Sequence, residues 1–402
     1  MTLKIKASQL RPGMYLTKLG GSWIKHPFLR SAFVIKSAED IAKIHKSGIT
    51  EVWIDPDKGL GLEPETPLDP QPEPQATATP RKVKTPTQAP VSVKAELNRA
   101  RKICLDSKEA VSSMFAEARM GNAVSAEQAE PLVQEIAESV TRNPGALINV
   151  ARLKTVDDYT YMHSVAVCAL MTNLGRQLGL EESLLRAAGI GGLLHDLGKA
   201  LMPLEVLNKP GKLTDAEFAI MKSHPTRGFE MLKEGGTNIE PVLDIALHHH
   251  EKVDGSGYPD GLSGDDITLL AKMGAICDVY DAITSTRPYK SGWDPAVSLQ
   301  RMASWQGHFD NDLFKAFVKS VGIYPLGSLV RLESGRLGIV MESNPEAILT
   351  PQVKVFYSVK LRQMIPPKLL DLANSRNQDR ITAVEDSAKW GFNNLDQLWV
   401  EG

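Results

Sequence analysis

Cysteine is almost missing: the 402 residues hold three, Cys104, Cys168 and Cys277, and no two stand in a CxxC pair. That excludes a disulfide-stapled fold and argues against a metal site built on the thiols. Cys168 and Cys277 lie in apolar segments, and all three read as reduced structural thiols. Long apolar runs are missing too. No stretch approaches the roughly 18–20 residues of a membrane span. The longest candidate, 187–194, is short, glycine-rich and stopped by His195 and Asp196. The opening residues, 1–6, lack a signal-peptide apolar region, so a cytoplasmic location is expected. Neither sign of charge dominates: 46 basic residues against 48 acidic ones leave a formal charge of −2. Without a basic field no duplex nucleic acid is expected as a partner, and an anionic ligand must be gripped by a local site. What is present, 42% apolar and 23% charged residues, is the balance of a globular protein of two or three domains.

The chain changes character along its length. Residues 1–56 read as an accessory α+β module: a strand over 33–36, then Ser37 and Asp40 as a reciprocal cap for a helix carrying Ile41 and Ile44. Gly48 ends that helix and a strand follows over 50–54. Residues 57–93 form a Pro-rich linker, with Pro64, Pro67, Pro70, Pro72, Pro74, Pro80, Pro86 and Pro90 spaced among Thr, Gln, Glu and Ala. A helical connector over 94–149 leads into a helical domain over 150–325. There Thr155 and Asp158 mark a helix start, with the helix running to Leu178, and the next helix is expected from Glu181 through Leu197. Thr214 and Glu217 have capping-box spacing, Pro241 suits a first turn, and a further helix is expected over 269–284. From 326 to 402 the pattern turns to β: a hairpin of 329–332 and 337–341 around Ser334-Gly335, a third strand over 352–357, and a polar tail. The expected class is mainly α, with a small α+β module before the helical domain and a small β appendage after it.

Chemistry concentrates in the helical domain. Six of the nine histidines (His163, His195, His224, His248, His249 and His250) lie between 163 and 250, where even spreading would place about two. Alone, each fits a core or capping role. Their neighbours sharpen the reading, because Asp196 follows His195, Glu251 follows the last histidines, and Asp278 and Asp281 share one helical face at i, i+3. Imidazoles and carboxylates converging on one pocket suit a hydrolytic metal centre, in which a carboxylate bridges two cations about 3.5–4 Å apart. Lys199, three residues past Asp196, offers an ammonium to a developing phosphorane oxygen. Gly255 and Gly257 permit a tight loop that Pro259 stiffens. Downstream, Arg287 and Lys290 suit phosphate, the first by a bidentate fork and the second as a point charge.

The ordered set His163, His195-Asp196-Leu-Gly-Lys199, His224, His249-His250-Glu-Lys-Val-Asp254-Gly-Ser-Gly257-Tyr258-Pro259, Asp278-Val-Tyr-Asp281 and Arg287-Pro-Tyr-Lys290 resembles the HD-GYP family, a subgroup of the HD metal-dependent phosphohydrolases. The resemblance covers residues 150–320. It implies an all-helical HD-type catalytic domain that hydrolyses cyclic di-GMP in bacterial signalling. Carried over position by position, it implies His163, His195, Asp196, His224, His249, His250 and Asp278 as metal ligands, with Asp196 bridging. Lys199 is implied as the site lysine, Arg287 and Lys290 as phosphate grips, and Asp281 as the group that orients a ligand imidazole. Gly257, Tyr258 and Pro259 shape a loop at the site, and His248 is read as structural. The implied metals are iron or manganese, with zinc, nickel and cobalt as other divalent candidates. Family members with a third metal carry Glu four residues before the first histidine. Tyr159 stands there, a poor ligand at neutral pH, and Asp158 would point about 100° away on a helix, so two metals are expected. A diguanylate cyclase domain and a second copy of the chain are the protein partners considered. The competing readings are an HD-type hydrolase of another nucleotide and a module that binds a cyclic dinucleotide without cutting it.

Overall fold

The computed structural model describes residues 2–19, 33–46, 51–60, 91–153, 159–285, 292–344, 347–374, 379–392, 395 and 397–400. Gly48, the prolines from Pro64 to Pro90, and the helix start at Thr155 and Asp158 lie outside these residues. The chain divides into two compact units, Met1–Thr87 and Gln88–Gly402.

In the first unit, β1 (Leu3–Lys6), β2 (Tyr15–Leu19), β3 (Phe33–Val34) and β4 (Glu51–Ile54) form an antiparallel sheet in the order β1-β4-β2-β3. Helix α1 (Ala38–Lys46) adds Ile44 to a buried core of Met14, Leu16, Ile35, Val52 and Ile54. Val52 and Ile54 alternate with the more exposed Glu51 and Trp53, the period of a half-buried strand. The reciprocal cap is present: Asp40 N donates to Ser37 Oγ at 3.4 Å and Ser37 N to Asp40 Oδ2 at 3.3 Å. The strand expected over 33–36 stops at Val34. Lys36 N is drawn to the same Asp40 carboxylate at 3.2 Å, so the helix cap takes over the chain where the strand would continue.

The second unit is built of helices α2 (Val93–Arg119), α3 (Ala126–Arg142), α4 (Pro144–Arg152), α5 (Tyr159–Leu178), α6 (Glu182–Leu194), α7 (Leu204–Leu207), α8 (Asp215–Met221), α9 (His224–Glu234), α10 (Glu240–His248), α11 (Leu269–Thr284), α12 (Pro295–Ser304) and α13 (Asn311–Val321). Helix α5 is buried along most of its length and packs on its neighbours from every side. Buried Glu96 in α2 receives the Arg142 guanidinium of α3 at 2.9 Å and the Ser139 hydroxyl at 3.0 Å, which fastens the connector helices together. One helix ends earlier than expected. Helix α6 stops at Leu194, not Leu197; Asp196 leaves helical geometry (φ −97, ψ 7) and caps a short 3-10 turn, Leu197–Leu201. The early stop leaves His195 as the helical cap of α6 (φ −52, ψ −37) and turns Asp196 out of the regular helix.

Behind α13 an antiparallel sheet runs in the order β8-β7-β6-β5-β9, from β5 (Leu329–Leu332), β6 (Arg336–Glu342), β7 (Gln352–Ser358), β8 (Gln363–Asp371) and β9 (Ile381–Val384). The expected hairpin and third strand are present. The stretch read as a polar tail instead supplies both edge strands. Pro366 and Pro367 in β8 disguised it, since proline reads as a strand breaker but is tolerated at an edge.

Asp294 joins the helices to this sheet. Its Oδ1 accepts from Ala296 N and Val297 N at the start of α12, and its Oδ2 from Leu329 N of β5 at 2.8 Å. Burial pushes its carboxyl up to about 6, although these N–H groups pull the other way. Because the folded pKa exceeds the unfolded value of about 3.9, the stabilisation is full below that value and is lost as pH rises through about 6. Against non-titrating Asp294→Asn, the wild-type chain is therefore expected to lose about 1–2 kcal/mol of relative stability between pH 5 and 7.5. Thermal denaturation of both proteins at those two pH values reads this, and a constant difference would contradict it.

Candidate metal centre

Five helices bring the predicted residues together. His163 is on α5, His195 and Asp196 follow α6, His224 opens α9, His249 and His250 follow α10, and Asp278 and Asp281 are on α11. Close helix approach makes this possible. A Cβ on Gly192 would lie 3.1 Å from the backbone N and Cα of Cys168, so α6 packs nearly backbone to backbone on α5. The His195 ring then sits 5.2 Å from His163 and 4.9 Å from His249. His163, His195, Asp196, His224 and His249 are each at most 2% exposed.

The imidazoles are aimed. Nδ1 of His195 lies 2.9 Å from Gly192 O, and Nδ1 of His224 lies 2.8 Å from Met221 O. Nδ1 of His249 lies 3.1 Å from both Ile245 O and Ala246 O. A carbonyl only accepts, so these hydrogen bonds assign the proton to Nδ1 and leave a lone pair on Nε2 of each neutral ring. His224 Nε2 and His249 Nε2 then face each other at 3.3 Å. His195 Nε2 and Asp196 Oδ1 are buried without a hydrogen-bond partner. Inward lone pairs and carboxylate charge repel one another unless a cation lies among them.

Asp196 is central to the arrangement. Its Oδ1 is 3.2 Å from His224 Nε2 and 3.8 Å from His249 Nε2, while its Oδ2 is 3.4 Å from His195 Nε2 and 3.5 Å from His163 Nε2. Two donor groups share this carboxylate: Asp196 with His224, His249 and His250, and Asp196 with His163 and His195, each group with ligand atoms within 4.8 Å of one another. Neutral imidazole and carboxylate donors fit first-row divalent cations. Asp278 lies between the groups, with Oδ1 2.9 Å from His163 Nε2 and Oδ2 3.7 Å from His250 Nδ1. Asp281 Oδ2 is 2.6 Å from His163 Nδ1, the outer contact that fixes ring orientation.

The protonation states agree with this donor set. Burial pushes Asp196 upward, but its polar and positive neighbours, the Lys199 ammonium among them, outweigh it and hold the carboxyl well below the usual range. His163 does the same for Asp278. Burial, then the neighbouring His250 and His195, press His249 well below an ordinary imidazole, and burial takes His250 down to about 3. His163 is the exception. Burial lowers it, but Asp278 and Asp281 together raise it above the ordinary value. The carboxylates thus call for positive charge at this point, which a divalent cation answers more strongly than a proton.

The rim is partly described. Lys199 Nζ rests 2.5 Å from Asp196 Oδ2, one fifth exposed (22%). Tyr258 stacks on His250 with centroids 4.7 Å apart and planes 28° apart, which brings the Gly257-Tyr258-Pro259 loop against the cluster. Arg287 and Lys290 lie outside the described residues. His248 points away from the cluster and bonds Asp244 at 2.7 Å and Asp260 at 3.0 Å. The sequence reading counted Glu251 only as an acidic neighbour of the histidines and gave it no task of its own. It is buried, and its Oε1 accepts from Asp260 N at 2.8 Å and Gly261 N at 3.0 Å, bracing the loop from within. An acid placed directly between a histidine pair and a two-glycine loop was the available signal.

A helical domain folded around a shared His/Asp cluster defines an HD-domain hydrolase. The HD domain family model matches residues 134–313, and a domain of unknown function (DUF3391) matches residues 2–129. Over 401 residues the chain is 50% identical to cyclic di-GMP phosphodiesterase PA4108 of Pseudomonas aeruginosa, covering 100% of this chain and 96% of that protein. It is 46% identical over 136 residues to the cyclic di-GMP phosphodiesterase response regulator RpfG of Xanthomonas campestris pv. campestris, 33% of this chain and 36% of that one. It is 34% identical over 177 residues to 3'3'-cGAMP-specific phosphodiesterase 1 of Vibrio cholerae, 43% of this chain and 40% of that one. The chain belongs to the HD-GYP family of HD-domain phosphodiesterases, as its motifs imply. Among the described residues no helix is long and apolar enough to cross a membrane.

Proposed function

We propose that the chain hydrolyses cyclic di-GMP to linear 5'-pGpG at a two-metal centre. The observation that carries this reading is the single carboxylate, Asp196, shared by two buried groups of ligand atoms. His163, His195 and Asp196 would hold one cation and His224, His249, His250 and Asp196 the other, with Asp278 between them. When bound, two divalent cations, iron or manganese, supply Lewis acidity: they lower the pKa of a water and neutralise charge on a phosphoryl group. The remaining tasks fall to side chains. Asp281 holds the His163 ring in one orientation through Nδ1. Lys199 sets a fixed positive charge at the rim, where the phosphoryl oxygens gain charge as water adds to phosphorus and the bond to the 3' oxygen breaks. Arg287 and Lys290 grip the second phosphate and so orient the ring-shaped substrate. Tyr159 favours two metals over three: its ring lies parallel to His163 at 5.8 Å, where a third site would want a carboxylate.

The relative aligned over the full chain is named for cyclic di-GMP, whereas the 3'3'-cGAMP-specific relative covers less than half of the chain. Cyclic di-GMP is therefore the primary substrate and 3'3'-cGAMP the competitor to test. The assay is anaerobic turnover by chelator-free protein with its metals counted, supplied with Mn²⁺ or Fe²⁺, and with products separated by chromatography. About two metals per chain and pGpG from cyclic di-GMP are expected, at a higher kcat/KM than for 3'3'-cGAMP. A fully metallated protein that leaves cyclic di-GMP intact would overturn the reading.

A further inference from the structure

An aromatic step stands beside the cluster that the chemistry above does not use. Phe218, on α8, is 47% exposed, and its ring meets Tyr258 edge-on with centroids 6.5 Å apart. Tyr258 in turn stacks on His250. The Lys222 ammonium lies over both rings, 5.2 Å from the Phe218 centroid and 5.9 Å from that of Tyr258. No residue of α8 is buried, so Phe218 is not a core side chain. The helix is nevertheless pinned. Its capping box closes with Glu217 N donating to Thr214 Oγ1 at 3.3 Å, Lys209 pairs with Glu217 at 2.6 Å, and Met221 O accepts from His224 Nδ1. A lone exposed apolar side chain needs no explanation. An exposed phenyl on a pinned helix, one ring out from a ligand histidine and paired with a cation, fits a recognition surface for a flat, electron-rich anion.

We propose that Phe218 and Lys222 form a purine-binding wall at the mouth of the metal centre. One base of the dinucleotide stacks on the Phe218 face while Lys222 places positive charge beside it. This rests on the cyclic-dinucleotide reading above. His250, Tyr258 and Phe218 form a path outward from the reacting phosphate, and a base lies one sugar away from that phosphate. Stacking on an aromatic side chain is tolerant of base identity, because every base has a π-face. The wall therefore sets affinity for purine dinucleotides in general and does not choose guanine over adenine.

The test uses the full chain loaded with Mn²⁺. Phe218→Ala is expected to raise KM about five- to a hundredfold for cyclic di-GMP and 3'3'-cGAMP alike, with a much smaller change in kcat and wild-type metal content. Phe218→Trp is expected to restore KM, and Lys222→Met to raise it severalfold. A KM within twofold of wild type in Phe218→Ala, or no recovery in Phe218→Trp, overturns the proposal. If the wild-type chain neither binds nor cuts a cyclic dinucleotide, the substrate reading fails by itself. The same proteins are then titrated with pGpG and GTP by equilibrium dialysis. Weaker binding in Phe218→Ala keeps the wall, while equal binding, or none by the wild type, removes it.

Discussion

Replacing Asp196 by Ala is expected to lower cyclic di-GMP turnover by about a thousandfold or more, on the order of 4 kcal/mol of transition-state stabilisation, and to strip metal from both sites. The size of the effect follows from its position. Each of its oxygens faces two imidazole nitrogens, Oδ1 those of His224 and His249 and Oδ2 those of His195 and His163. Losing the carboxylate removes one ligand from each group and also the negative charge that offsets two dications. Each histidine of the cluster belongs to one group only. Asp281→Asn provides the contrast. Among the described ligand atoms Asp281 meets His163 Nδ1, so its loss should cost roughly 10–100-fold in metal affinity and leave the second group filled. Metal counting beside single-turnover kinetics separates the two variants. An Asp196→Ala protein that keeps both metals and turnover within tenfold of wild type would remove the bridging role.

The clustering of the candidate site was legible because it depends on residue type and spacing. Histidines beside acids, and Asp278 with Asp281 at i, i+3, are patterns that survive without coordinates, and the structure puts both aspartates against His163. Helices α8 and α10 were legible from Thr214, Glu217 and Pro241, since caps are local chemistry. What was not legible depends on approach between distant segments. The stop of α6 at Leu194 is a local geometry that the helical i, i+3 spacing of Leu194 and Leu197 conceals. Strand β8 carries two prolines that are acceptable because no strand among the described residues pairs beyond it, and edge position is a property of the whole sheet. Glu251 looks like a ligand-adjacent acid in sequence, yet its bonds go to the backbone of the following loop.

Gly198 shows how far such an approach controls function, and the expected result of Gly198→Ala is loss of one metal site with turnover reduced about a hundredfold. A Cβ at position 198 would lie 1.9 Å from His224 O, 2.6 Å from Gly228 N and 3.0 Å from Gly228 Cα. Carbon atoms in contact prefer about 3.5–4.0 Å, and all three obstacles are backbone, so no side chain can swing aside. The 3-10 turn that follows Asp196 and the first turn of α9 must separate by an ångström or more. Asp196 is fixed to one element and His224 to the other, and their 3.2 Å approach widens with that shift. Misplacement on this scale costs about 10²-fold in rate, while overpacking costs only about 1–3 kcal/mol of stability. The variant should therefore stay folded by circular dichroism, keep metal at His163 and His195, and lose it at His224, His249 and His250. Gly228→Ala is the matched control. The nearest atom to its Cβ is Gly198 N at 3.1 Å, a contact relieved by a few tenths of an ångström, so a much smaller loss is expected. Two metals per chain and turnover within threefold of wild type in Gly198→Ala would show that the spacing between Asp196 and His224 does not set the second site.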